Sequence, residues 1–125
     1  MERSRRRPAH PYPRMARVNA LFHEVLAEEL TRLGDGDERV RLLTITEVLC
    51  DPDLRHARVL FASLPDEAAE ALGEMRRQLQ GALSRNVHMK RIPLLAFAAD
   101  PAVEAGNRVE EALRRAHRQE GAGDG

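Results

Sequence analysis

From Ala16 onward, apolar residues recur at three- and four-residue steps: Val18, Leu21, Phe22, Val25, Leu26, Leu30 and Leu33. That spacing gathers them on one face of a helix of about five turns. Gly34-Asp35-Gly36 follows, and a glycine there is expected to close the helix in the left-handed conformation. The period then changes to two. Between Val40 and Leu49, the residues Leu43, Ile45 and Leu49 alternate with Thr44, Thr46 and Val48, which predicts a β-strand. Asp51-Pro52-Asp53 supplies a turn, because proline presets φ and aspartate bonds nearby backbone donors. A second strand is predicted over His56–Leu64, antiparallel to the first. It carries Ala57, Val59 and Phe61 on one face and Arg58 and Leu60 on the other.

Pro65-Asp66 opens the next helical pattern. It spans residues 67–87, with Ala68, Leu72, Met75, Leu79, Ala82, Leu83 and Val87 at helical spacing. Gly73 and Gly81 interrupt it, each costing about 1 kcal/mol against alanine, so a bend dividing the segment into two helices is expected. After Pro93, a short third strand is read over Leu94–Ala98. A last amphipathic helix is read over residues 101–118, carrying Val103, Val109, Leu113 and Ala116. Residues 1–13, with Pro8, Pro11 and Pro13 among arginines, read as a flexible basic arm, and residues 119–125 as a disordered tail. The predicted order is α-β-β-α-α-β plus a C-terminal helix, an α+β domain, in a chain whose 125 residues suit one modest core.

The formal charge of zero conceals a segregation. Residues 1–17 hold six arginines against Glu2, and residues 76–91 hold Arg76, Arg77, Arg85, Lys90 and Arg91 with no acid, so each segment is +5. Residues 18–75 carry thirteen acids and five arginines, −8. Such a basic stripe suits a polyanion, and it equally suits a solvated helix face. Glu24, Glu28 and Glu29 on the first helix argue against a lipid surface, which asks for Lys and Arg. No apolar run nears the roughly 20 residues of a membrane span, and no apolar stretch follows the basic N-terminus as in a secretory signal. The single cysteine rules out an internal disulfide and fits a reducing cytoplasm.

Chemistry-bearing constellations are weak. His23-Glu24 lacks a second histidine at helical spacing, and His10, His56, His88 and His117 are scattered. Cys50 ends an apolar strand and reads as a buried, inert thiol, and Asp51 and Asp53 are accounted for by the turn. These readings exclude catalysis and a metal site from the expected function.

Three pieces in order carry a family resemblance: Thr44-Ile-Thr-x-Val48, Asp53-Leu-x-x-Ala-x-Val59, and Met89-Lys90-x-x-Pro93-x-Leu95-x-Phe97 followed by Asp100. With Arg17-Val18 at the opening of the first helix, they resemble the ribosome-binding factor A family over about Arg14 to Asp100. The resemblance implies a type II KH-like domain over residues 14–100, a three-stranded sheet with helices packed on one face. It also implies a non-catalytic assembly factor without cofactor or small-molecule substrate; a monomer is expected because no obvious exposed apolar seam asks for a partner. Such a factor binds the immature small (30S) ribosomal subunit and 16S rRNA and supports late maturation and 5′-end processing of that rRNA.

Two departures stand out. Asp37-Glu-Arg39 occupies the place of the family's Asp-Pro-Arg, and Met75-Arg-Arg77 the place of its Ala-x-Gly kink, while Ala71-Leu-Gly73 lies one helical turn too early. Ordinary KH domains present a Gly-x-x-Gly loop to single-stranded RNA. Neither this chain nor the family has one, so side chains must do the binding. The candidates are Arg76, Arg77, Arg85, Lys90 and Arg91, with Arg14 and Arg17, and Arg5, Arg6 and Arg7 of the arm. Two other classes stay open: a general KH-type binder of single-stranded RNA, and a module whose basic helix meets an acidic protein.

Overall fold

The computed structural model describes residues 13–124, with side chains over residues 13–119. The basic arm expected over residues 1–13 lies outside this range, apart from Pro13. Pro13 opens the first helix, α1 (Pro13–Gly34), where a missing N–H costs nothing. The helix therefore starts three residues before Ala16. Phe22, Val25, Leu26 and Leu30 are buried, as their spacing predicts, whereas Leu21 is exposed.

No glycine described has positive φ, so the expected left-handed cap is absent. Gly34 matters for space instead: a Cβ there would lie 3.1 Å from the Cα of Arg41. Arg41 belongs to a four-residue helix, α2 (Glu38–Arg41), which replaces the start of the strand predicted from Val40. Asp37 caps α2, its Oδ1 accepting from the Arg39 N–H at 3.0 Å, and Val40 is buried.

Strand β1 (Ile45–Cys50) pairs antiparallel with β2 (His56–Phe61) as expected, though both strands are shorter than predicted. A register shift between Ile45 and Glu47 inserts one extra residue. This bulge turns Val48 and Cys50 to the core side with Ile45 and leaves Leu49 half-buried, so the alternation read from Leu43, Ile45 and Leu49 is broken. Ala57, Val59 and Phe61 of β2 are buried as predicted, and so is Leu60. The one non-glycine residue at positive φ among those described is Leu54, at 60°, in the turn between the strands.

Residues Asp66–Asn86 form one unbroken helix, α3. The division into two helices expected at Gly73 or Gly81 does not occur. Ala68, Ala71, Leu72, Met75, Leu79, Ala82 and Leu83 keep a continuous buried face through both glycines, and that packing outweighs the glycines' poor propensity. A Cβ on Gly73 would meet nothing within 4 Å. Gly73→Ala should therefore raise stability by about 1 kcal/mol, seen as a higher urea midpoint at unchanged slope.

β3 (Leu94–Ala99) adds parallel to β2, giving a mixed sheet in the order β1-β2-β3. The helices α1 and α3 pack on one face around a core that includes Phe22, Phe61, Leu72, Leu83 and Leu95. The α+β, KH-like class expected from the sequence therefore holds, with the second and third helices merged into one.

The last helix, α4 (Pro101–Asp124), runs on through residues 119–124, which composition assigns to a disordered tail. Extending a formed helix fixes one residue per bond and avoids a new nucleation step. Every described side chain of α4 is exposed except the half-buried Val103.

Asp100 joins α4 to the sheet. Its Oδ1 accepts from the Ala102 N–H at 2.9 Å, its Oδ2 accepts from the Thr46 hydroxyl at 2.6 Å, and its own N–H donates to the Phe61 carbonyl at 2.8 Å. The Thr46 hydroxyl, then the Ala102 N–H, hold this carboxyl below the usual carboxylate range. Its contribution to stability is present above the unfolded value of about 3.9 and is lost as pH falls through the lower folded value. Thr46→Val should thus lower the urea midpoint at pH 7, and its gap to the parent should narrow between pH 4 and pH 2.

Candidate nucleic-acid interface

The topology gives the domain two unlike ends. Asn19 Oδ1 accepts from the Cys50 N–H at 2.8 Å, so the N-terminal half of α1 lies beside the end of β1, where the β1–β2 turn begins. The far end of α1 meets Arg41 and α2, before β1 starts. Helix α3 leaves the opposite end of β2 and returns to the turn end, where its last turn carries Arg85. The loop 87–93 then leads into β3, whose Leu94 pairs with His56 and donates its N–H to the Arg55 carbonyl at 2.9 Å.

Five of the seven candidates among the described residues thereby come to one end of the domain. Arg14 and Arg17 arrive on α1, Arg85 on α3, and Lys90 and Arg91 on the loop, and all five are exposed. Arg76 and Arg77 do not join them. They sit about 13 Å back along α3, which rises 1.5 Å per residue. Arg77 is exposed there and, with Gly73, Glu74, Arg76 and Gln80, lines an open groove of about 660 Å³. Arg76 is half-buried, its guanidinium 5.4 Å from the centre of the Phe97 ring, with Nε buried and without a hydrogen-bond partner. Its stem and ring contact make Arg76 part of the packing over β3. Arg5, Arg6 and Arg7 lie outside the described residues.

The arginines divide by their partners. Arg39 bridges Asp37 at 2.7 Å and Glu74 at 2.9 Å, which joins α2 to α3. Asp37, then Glu74, hold the Arg39 guanidinium above its ordinary range, and Arg39 in turn holds the Asp37 carboxyl below its own. Arg32 pairs with Glu29, and Arg114 and Arg115 pair with Glu111. Arg41 donates to the Gly34 carbonyl at 3.2 Å. In contrast, among the described residues no carboxylate pairs with Arg14, Arg17, Arg77, Arg85, Lys90 or Arg91. Asp66 and Glu67 at the start of α3 and Arg85 at its end follow the helix dipole, which accounts for that helix alone. The dipole does not account for the unpaired cations that α1 and the loop bring to the same end.

Arg55, absent from the candidates above, and His88, set aside there as one of the scattered histidines, share this end with Lys90 and Arg91. Arg55 belongs to a stretch rich in acids, so a charge count by segment passes over it. Cys50 is buried, and desolvation, then the Asp51 charge, push its thiol up to about 11, which makes it a poor nucleophile. Among the described residues there is no group of three or more His, Cys, Asp or Glu side chains that could hold a metal, and no helix long and apolar enough to cross a membrane.

A family model described as ribosome-binding factor A matches residues 14–113. The ribosome-binding factor A of Rubrobacter xylanophilus is 33% identical over 117 residues, which cover 90% of this chain and 94% of that protein. The crystal structure of ribosome-binding factor A from Thermus thermophilus superposes with a TM-score of 0.62 at 33% identity, covering 68% of this chain and 93% of the other. A homology model of the Thermus thermophilus factor, fitted into a cryo-electron microscopy map of a 30S complex, gives a TM-score of 0.56 at 34% identity over 66% of this chain and 91% of that one.

Proposed function

The chain belongs to the ribosome-binding factor A family, and from that membership we propose that it binds the immature small ribosomal subunit through 16S rRNA. In this reading it supports late maturation and 5′-end processing of that rRNA as a monomeric, cytoplasmic, non-catalytic factor, without cofactor or small-molecule substrate. One observation carries the RNA part: Arg14, Arg17, Arg85, Lys90 and Arg91 share one end of the domain and have no carboxylate partners among the described residues. Unpaired guanidinium and ammonium groups on separate elements suit the phosphates of a folded RNA, while the carboxylate-rich remainder resists unspecific adhesion. Phosphate contacts fix position and carry little sequence information, so recognition is of rRNA shape. Arg77 extends the surface along α3, and Arg76 supports it through Phe97.

Co-sedimentation with isolated small subunits, large subunits and intact ribosomes across a salt series tests this. Selective retention on small subunits is expected. The slope of log affinity against log salt should be about −3.5 for about five phosphates at roughly 0.7 each. Equal retention on all particles would replace the proposal with a general RNA binder, and no retention at low salt would remove RNA from the account.

A further inference from the structure

Parallel pairing of β2 and β3 sets the residues before each strand side by side, so the β1–β2 turn faces the α3–β3 loop across a cleft of about 460 Å³. Arg55 lines it from the turn, and His88, Lys90 and Arg91 line it from the loop. Leu54 and Met89, half-buried against the core, line its apolar part. We propose that this cleft is a phosphate-binding site in which Arg55, from the acid-rich part of the sequence, takes an RNA backbone phosphate next to those held by Lys90 and Arg91.

Charge supports the assignment. Three permanent cations line the cleft against one carboxylate, Asp53, and the Asp53 Oδ1 is engaged by the Arg55 N–H at 3.0 Å. None of the three cations has an ion-pair partner among the described residues, unlike Arg32, Arg39, Arg114 and Arg115. Backbone geometry supports it independently. Leu54 holds φ at 60°, a conformation that glycine or asparagine meets far more easily. Leucine there keeps an apolar side chain beneath the cleft, and the turn closes with the Leu54 N–H donating to the Asp51 carbonyl at 2.8 Å. The Arg55 carbonyl is tied to Leu94, so the backbone that carries its guanidinium is fixed against the start of β3, where the loop ends. A planar guanidinium on a fixed backbone beside two further cations suits a tetrahedral dianion or phosphodiester.

The inference rests on the RNA-binding reading and is tested separately from it. In small-subunit binding at 0.1 M salt, Arg55→Gln should lose about fivefold in affinity and flatten the salt slope by about 0.7, the share of one single-strand phosphate contact. Arg58→Gln, at an equally exposed and unpaired arginine on β2, should stay within about twofold of the parent. Lys90→Gln is the second variant should Arg55→Gln fold poorly. In the parent, a uridine hexanucleotide at low salt should shift the backbone amide resonances of Leu54, Arg55, Lys90 and Arg91. If the parent binds small subunits and Arg55→Gln binds equally well, the cleft proposal falls and the general reading stands. If Arg55→Gln weakens binding but the hexanucleotide moves none of these amides, the cleft contacts a ribosomal protein and the phosphate assignment falls. If the parent binds no subunit, the general reading fails, and the hexanucleotide shifts alone judge the cleft.

Discussion

Replacing Arg85, Lys90 and Arg91 together by glutamate should lower affinity for isolated small subunits at 0.1 M salt at least about a hundredfold. Each lost contact to a single-strand phosphate removes about 0.7 from the salt slope, hence about 0.7 log units at that salt, and three contacts remove about two. The new carboxylates add repulsion to this loss. The three side chains are exposed and make no ion pairs among the described residues, so the fold should barely register the change. The variant should melt within a few degrees of the parent while its retention on small subunits collapses. Unchanged retention would move RNA binding away from this end of the domain, towards Arg77 and its groove on α3. The same reversal at Arg114 and Arg115 would break their pairs with Glu111 on the exposed α4 and should leave subunit affinity near the parent's.

Phe61→Ala should be among the most damaging single substitutions to stability, costing about 3–5 kcal/mol and lowering Tm by roughly 15 °C. Phe61 is fully buried at the end of β2. Its ring lies 6.3 Å from that of Phe97, which in turn supports the guanidinium of Arg76. Its carbonyl accepts the Asp100 N–H, where β3 passes into α4. Truncation therefore opens a cavity beneath the sheet and loosens the neighbour that orients Arg76. Thermal denaturation followed by circular dichroism measures the loss. A Tm within about 5 °C of the parent would mean that the core collapses around the missing ring far better than its burial suggests. Total stability of a domain this size is typically about 5–15 kcal/mol, so the variant should remain mostly folded at low temperature, where its subunit binding can be compared.

Periodicity carries information only about the face on which a residue lies. That is enough to identify Phe22, Val25, Leu26 and Leu30 as one buried helical stripe, and Ala57, Val59 and Phe61 as one buried strand face. It is not enough at the bulge before Glu47, where one extra residue turns Val48 and Cys50 inward, because a bulge is defined by what the partner strand opposes. Nor does it reveal that α3 runs unbroken through Gly73 and Gly81. Propensity prices each glycine separately, while the continuous buried face from Ala68 to Leu83 acts on the whole helix at once. Gly34 shows the same limit: its lack of a side chain serves a contact with Arg41, which no local rule contains.

The interface divides along the same line. The chemistry available is legible along the chain: two arginine-rich segments, no Gly-x-x-Gly, no metal motif, and three pieces in order that resemble one family. Charge and motif are properties of adjacent residues, so they can be read along the chain. Which cations lie together follows from packing alone. Parallel pairing of β2 with β3 brought Arg55 to Lys90 and Arg91, and the Asn19–Cys50 bond brought the start of α1 to the same end. Folding also engaged Arg39 with Glu74 across 35 positions and laid Arg76 on Phe97, while Arg85, Lys90 and Arg91 have no such partners among the described residues. These distinctions depend on distances between residues far apart in the chain, and packing sets those distances.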